Sequence, residues 1–217
     1  RLGSLDISDL PITNFPQSIV NLDKLEYLYF SNTQISSIPS SIGYLPELER
    51  IYAIGGQLAG PLPSELGNLA NLEQLRLQDN QLTGPIPPEL GNLTNLTFLW
   101  LQNNQLTGSI PAELGNTNLH WLDLSKNQLT GEVPMEIWNI NAHYSQSDTP
   151  YESQGKSLRR ISIRENNLTG AIPESICDIN LRWRSFDFID LRDNKFCPPY
   201  PSCLDNRTGQ QDISNCD

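Results

Sequence analysis

Apolar residues recur along the chain in blocks of the form LxxLxLxxNxL. The first apolar position of each block falls at Leu2, Leu25, Leu48, Leu72, Leu96, Leu119, Leu158 and Phe186. The first five spacings are 23, 23, 24, 24 and 23 residues, longer than the period of any single helix or strand. A period of that length belongs to a unit holding a short strand, a turn and a return segment. In the unit from Leu72, the side chains of Leu72, Leu75, Leu77, Leu82, Ile86 and Leu90 are predicted to point inward. One unit cannot cover that face alone, so neighbours must stack. The predicted fold is an α/β solenoid of about eight repeats, a right-handed superhelix with a parallel β-sheet on its concave face.

The alternation within each strand sorts its residues. In xLxLxx the leucines enter the core and the residues between them face outward. The first outward column reads Ser4, Tyr27, Arg50, Gln74, Phe98, Trp121, Arg160, Phe188, and the second Asp6, Tyr29, Tyr52, Arg76, Trp100, Asp123, Ser162, Asp190. With strands ~4.8 Å apart, the aromatics of units two to six span a wall about 20 Å across. Tyr27, Tyr29, Arg50, Tyr52, Arg76, Phe98, Trp100 and Trp121 are therefore the candidate binding residues. Tyrosine, tryptophan and arginine combine large apolar area with polar handles and dominate binding hot spots. Stacking of neighbouring rings to stabilise the sheet is the competing explanation of the same residues. A third column, Ser8, Ser31, Ile54, Gln78, Gln102, Ser125, Arg164, Arg192, is mostly polar and is expected to form a hydrogen-bonding rim.

The Asn of the pattern stands at Asn80, Asn104, Asn127, Asn166 and Asn194, but Leu10, Thr33 and Gly56 replace it in the first three units. An inward amide can bond backbone groups of adjacent turns. The first units are thus expected to be less regular and less stable than those from Leu72 onward.

After each strand follows a version of LTGxIPxxLGNL, seen at Leu82–Pro87 and Leu106–Pro111 and in similar form from Leu129 and Leu168. This pattern resembles the plant-type class of leucine-rich repeats, known from receptor-kinase ectodomains, polygalacturonase-inhibiting proteins and secreted or surface proteins of microbes. The resemblance covers about Leu2 to Cys197. It implies that Thr-Gly-x-Ile-Pro forms a second, short parallel sheet and that xxLGNL forms a 3₁₀-like or helical return. It also implies an extracellular binding module for a protein or peptide.

Two stretches break the period. The interval from Leu119 to Leu158 holds an excess that falls at residues 141–155, read as an exposed insertion loop. Arg182-Trp183-Arg184 lies in the last, elongated interval. The domain reading is a solenoid over residues 1–196 and a C-terminal cap over 197–217.

Composition narrows the function. The net charge of −11 disfavours nucleic acid and anionic lipid as partners. No apolar run reaches the ~20 residues that span a bilayer. Arg1 runs directly into a repeat strand without the features of a signal peptide, so the chain reads as mature or trimmed. Cys177, Cys197, Cys203 and Cys216 all fall in the last part of the chain and suggest a stapled end cap. Zinc is the other reading, although a CxxC knuckle is missing. Of the three pairings, Cys177 with Cys197 and Cys203 with Cys216 is the one expected. Disulfides would place the protein in an oxidising, extracellular compartment, secreted or at a cell surface. The sequons at Asn92, Asn95, Asn167 and Asn206 are candidate glycosylation acceptors.

Nothing in the sequence marks an enzyme, a cofactor or a metal site. The two histidines, His120 and His143, lack a visible partner cluster, and no nucleophile elbow is present. Two alternatives to peptide or protein recognition remain. One is a structural, self-associating role through stacked repeat ends. The other is glycan or ice binding through a threonine column, Thr83, Thr107, Thr130 and Thr169.

Overall fold

The computed structural model describes residues 3–138, 158, 160–178, 188–204, 208–214 and 216. The 141–155 insertion, His143, Arg182-Trp183-Arg184, Phe186 and Asn206 lie outside these residues.

Eight parallel strands of three residues each form one sheet: Ser4–Asp6, Tyr27–Tyr29, Arg50–Tyr52, Gln74–Arg76, Phe98–Trp100, Trp121–Asp123, Arg160–Ser162 and Phe188–Asp190. The strands are short for a reason visible in the sequence. Three residues beyond each strand the backbone turns left-handed, at Asp9, Asn32, Gly55, Asp79, Asn103, Lys126, Glu165 and Asp193, with φ between 53° and 67°. Glycine, asparagine and aspartate accept that conformation most readily, and they fill six of these eight positions. Residues of equal rank in each unit lie side by side, as in Tyr29↔Tyr52 and Tyr52↔Arg76.

Each coil returns along the opposite side through a short 3₁₀ helix: Gln17–Asn21, Ser40–Tyr44, Ser64–Asn68, Pro88–Asn92, Ala112–Asn116 and Glu174–Asp178. In the sixth coil the return is a single α-turn, Met135–Trp138. An extended proline precedes each of the first five, Pro16, Pro39, Pro63, Pro87 and Pro111. Proline needs no donor there and fixes φ before the turn. The Gly of LGN is required by stacking. A Cβ on Gly67 would sit 2.4 Å from the Glu89 carbonyl oxygen of the next coil, and one on Gly91 would sit 2.4 Å from that of Glu113.

A continuous apolar core runs from Ile19 to Leu204, with Leu72, Leu75, Leu77, Leu82, Ile86 and Leu90 all buried within it. Each such side chain contributes about 1.5–3 kcal/mol on burial. The asparagine ladder joins the coils. Nδ2 of Asn104 donates to the carbonyls of Leu77, one coil back, and Leu101, in its own coil, both at 3.0 Å. Its Oδ1 accepts from Leu82 N–H of the preceding coil at 3.0 Å. Asn80, Asn127, Asn166 and Asn194 repeat the arrangement.

The first coils lack it. Thr33 is buried, but its hydroxyl donates to Phe30 O within its own coil at 2.9 Å. Leu10 is 46% exposed. The second sheet also begins late, with Ala59–Pro61, Gln81–Gly84 and Gln105–Leu106 in one ladder and Thr130–Glu132 with Asn167–Thr169 in another. Here the register is offset. Thr83 pairs with Gln105, and Thr130 with Asn167, so the threonines of successive coils are staggered by two residues rather than set side by side.

The four cysteines form two disulfides, but the expected pairing is wrong. Cys177 joins Cys203 and Cys197 joins Cys216, with Cα–Cα distances of 5.6 and 5.5 Å. Three-dimensional stacking decides this. Cys177 lies in the 3₁₀ helix Glu174–Asp178, which packs on the 3₁₀ helix Ser202–Leu204 that carries Cys203. Cys197 instead continues the second-sheet side, bridging Ala171, with its N–H donating to Gly170 O at 2.9 Å. The C-terminal tail brings Cys216 to that side.

Candidate functional surface on the concave sheet

The strand register sets all eight predicted wall residues on the outward face, because the central residue of each strand, Leu28, Ile51, Leu75, Leu99 and Leu122, is fully buried. Tyr27, Tyr29, Arg50, Tyr52, Arg76, Phe98, Trp100 and Trp121 are all half-buried. They cover one another. Tyr29 meets Tyr52 edge to face at 5.0 Å between ring centroids, Phe98 meets Trp100 at 6.2 Å, and Trp100 meets Trp121 at 4.3 Å.

The arginines join the two aromatic groups. Arg50 lies over the Tyr27 ring at 5.0 Å. Arg76 stands 4.6 Å from the Tyr52 ring, 4.1 Å from Trp100 and 5.6 Å from Phe98. A guanidinium stacked by its face keeps its edge N–H groups for hydrogen bonds. One Arg76 edge is used, donating from Nη2 to Gln74 Oε1 at 2.8 Å. That oxygen also accepts from the Tyr52 hydroxyl. The wall therefore contains two residues that residue type alone did not single out: Gln74, which ties Tyr52 to Arg76, and Arg160, stacked 4.3 Å over Trp121. Their membership of the first outward column was the signal available.

The polar third column is less exposed than expected of a rim. Gln78 and Ser125 are buried, at 7% and 5% exposure. Several polar atoms of this region are shielded from water and lack a hydrogen-bond partner: Arg50 Nε, Arg76 Nε, Trp100 Nε1, Trp121 Nε1, Gln78 Oε1 and Gln102 Oε1. Buried polar groups are rarely left in that state without reason.

Charge lies at the margins. The Glu49 carboxylate beside the Tyr27 hydroxyl raises the phenol's pKa above its ordinary value. Asp123 is partly buried, and burial raises its carboxyl pKa while hydrogen bonds from Ser125 N–H and Oγ oppose the rise. Asp190, two strands away, is gripped by Arg192 at 2.7 Å and Arg164 at 3.8 Å, so its pKa falls despite partial burial. No group of three or more His, Cys, Asp or Glu side chains suited to a metal ion occurs among the described residues. Among those residues no helix is long and apolar enough to cross a membrane.

A family profile for a leucine-rich repeat region matches residues 1–181, and the chain belongs to that family. Among solved structures it is similar to the Arabidopsis receptor kinase HAESA ectodomain in complex with an extended IDA peptide hormone, at 33% identity and TM-score 0.71, over 88% of this chain and 30% of that one. It is also similar to PEPR1 in complex with AtPEP1, at 34% identity and TM-score 0.69, over 82% of this chain and 22% of that one. A plant ice-binding protein shares the fold at 24% identity and TM-score 0.66, over 93% of this chain and 67% of that one. The chain thus spans less than a third of the length of the two receptors. No curated protein sequence matches it.

Proposed function

We propose that this chain is an extracellular peptide-binding module whose ligand lies across the concave strands on the aromatic–arginine wall. The observation that carries this reading is the wall itself: five consecutive strands present Tyr27, Tyr29, Arg50, Tyr52, Arg76, Phe98, Trp100 and Trp121 on one face, at the middle of a curved sheet. Stacking alone explains part of it, yet stacking gives no account of the shielded, unpartnered nitrogens of Trp100, Trp121, Arg50 and Arg76. A ligand whose docking rearranges these side chains would supply partners for them. The similarity to peptide-bound receptor ectodomains supports a peptide as the ligand class. Two disulfides at the C-terminal end support an oxidising compartment.

The test is selection of a displayed random peptide library on the intact chain, with counter-selection on a Tyr52→Ala/Trp100→Ala/Trp121→Ala variant. Peptides retained by the parent and lost by the variant, with the thermal transition of the variant little changed, are the expected result. Peptides that bind both equally would show that the wall is not the binding surface.

A further inference from the structure

We infer that the peptide taken by this face carries an internal acidic side chain, seated over Arg50 and Arg76 and flanked on both sides by apolar or aromatic residues. This rests on the concave face being the peptide site.

The wall is a cationic island in an acidic protein. From strand Tyr27–Tyr29 to strand Phe98–Trp100 the first two outward columns read Tyr27, Arg50, Gln74, Phe98 and Tyr29, Tyr52, Arg76, Trp100. These eight positions hold two arginines and no carboxylate, a local charge of +2 in a chain of −11. Neither arginine forms an ion pair with a described neighbour. The ion pairs formed among described residues involve Lys24 with Glu47, and Arg164 and Arg192 with Asp190 and Glu165. Arg50 and Arg76 join none of them. Both are held by ring faces, and Nε of each is shielded without a partner. Stacked guanidinium groups on adjacent strands present edge donors for which a carboxylate is the matching acceptor.

The surroundings restrict where that carboxylate can lie. Glu26, Glu49 and Glu73 stand immediately before the first column, Asp123 follows Trp100 on the next strand, and Asp79 lies beyond the third column. An acidic group displaced from the arginine pair in any of these directions meets like charge. The pair is also interior to the wall. Tyr27 and Tyr29 lie on one side of it, and Phe98, Trp100 and Trp121 on the other. A chain ending over the arginines would cover only one of these aromatic groups, which favours a side-chain carboxylate over a terminal one.

Spacing gives the pattern. Strands are ~4.8 Å apart and an extended peptide rises ~3.3 Å per residue. From a point between the third and fourth strands, Tyr27 and Tyr29 are about 7 Å away, or two residues, and Trp121 is about 12 Å away, or three to four residues. The acid is therefore expected two positions from one apolar residue and three or four from the other, in either chain direction.

The experiment starts from 12-residue peptides selected on the intact chain for loss of binding to Trp100→Ala/Trp121→Ala. The best binder is synthesised with its acidic residue intact, with that residue as the amide, and with its C-terminus either free or amidated. Dissociation constants are measured on the parent chain and on Arg50→Gln/Arg76→Gln. The expected result is enrichment of an internal Asp or Glu at the stated spacing. Acid to amide should weaken binding to the parent about 10- to 100-fold, less than about 3-fold on the double variant, with C-terminal amidation without effect. Arg76→Lys should fall between, and it guards against a folding defect in the double variant. Selected peptides that depend on the tryptophans but lack an internal acid overturn the inference and leave the peptide site standing. So does an amide penalty that survives on the double variant. Failure to select any tryptophan-dependent peptide overturns both.

Discussion

The coils before Leu72 and those after it are built from the same repeat but held together differently. In the later coils each asparagine spans two turns, as Asn104 does between Leu77 O, Leu101 O and Leu82 N–H. In the second coil Thr33 bonds Phe30 O of its own turn, and among the described residues no second-sheet strand appears before Ala59. The difference teaches that the strand ladder, leucine stacking and short side-chain links, such as Ser31 N–H to Ser8 Oγ and Asn32 Nδ2 to Asp9 Oδ1, suffice to coil the chain, while the asparagine amide adds a buried lock between one coil and the next. The wall straddles that boundary. Tyr27 and Tyr29 stand on a coil without the amide lock, Arg50 and Tyr52 on the coil that Asn80 ties to the next, and Arg76, Phe98, Trp100 and Trp121 on coils with their own asparagine. Arg76 links the third coil to the fifth by stacking on Tyr52 and Trp100 at once.

The comparison is broken most severely by Asn104→Ala. It leaves buried carbonyl and N–H groups of two coils unsatisfied, at about 1–3 kcal/mol each, so a loss of about 3 kcal/mol or more is expected in urea unfolding. Thr33→Ala, which removes bonds within one coil, is expected to cost about 1 kcal/mol in the same measurement. Equal losses would show that the two regions do not differ in cohesion. Hydrogen exchange sharpens the contrast without mutation. Backbone amides of Tyr27–Tyr29 should exchange roughly tenfold or more faster than those of Phe98–Trp100, because opening of the first coils breaks fewer bonds between turns.

The smallest effect is expected at the far edge of the wall. Burial raises the Asp123 carboxyl pKa above 3.8, so the folded chain holds this proton more tightly than the unfolded one. Its effect on stability is absent at low pH, where both states are protonated. Stability is then lost as pH rises from about 3.8 through the raised folded value. Asp123→Asn should remove that loss, matching the parent in acid and exceeding it slightly at neutral pH in thermal unfolding. A variant no more stable than the parent at neutral pH would contradict the burial argument.

Much of the fold was legible because two periodicities are written in residue types. The 23–24-residue leucine repeat sets the coil, and the two-residue alternation sorts Leu75 inward and Gln74 and Arg76 outward, which the register reproduces strand by strand. What escaped depended on contacts between coils. Cysteine spacing cannot show that Glu174–Asp178 stacks on Ser202–Leu204, so the pairing of Cys177 with Cys203 was not readable. Nor can alternation show that Gln78 is buried, or that the second sheet offsets Thr83 against Gln105. For the wall, sequence placed the residues but not their contacts. Arg76 as the shared partner of rings on the strands to either side emerges only when neighbouring strands are set side by side, and Gln74 as its tether only from the side-chain hydrogen bond within their own strand.

The most direct test of the wall as the binding surface is a titration of a selected peptide followed through the indole N–H resonances. Trp100 and Trp121 lie on the wall with shielded, unpartnered nitrogens, while Trp138 is buried in the core at 3% exposure and serves as an internal control. The account predicts that the Trp100 and Trp121 signals shift with saturating peptide while the Trp138 signal stays in place. Saturable binding that leaves both wall indoles unmoved would contradict it.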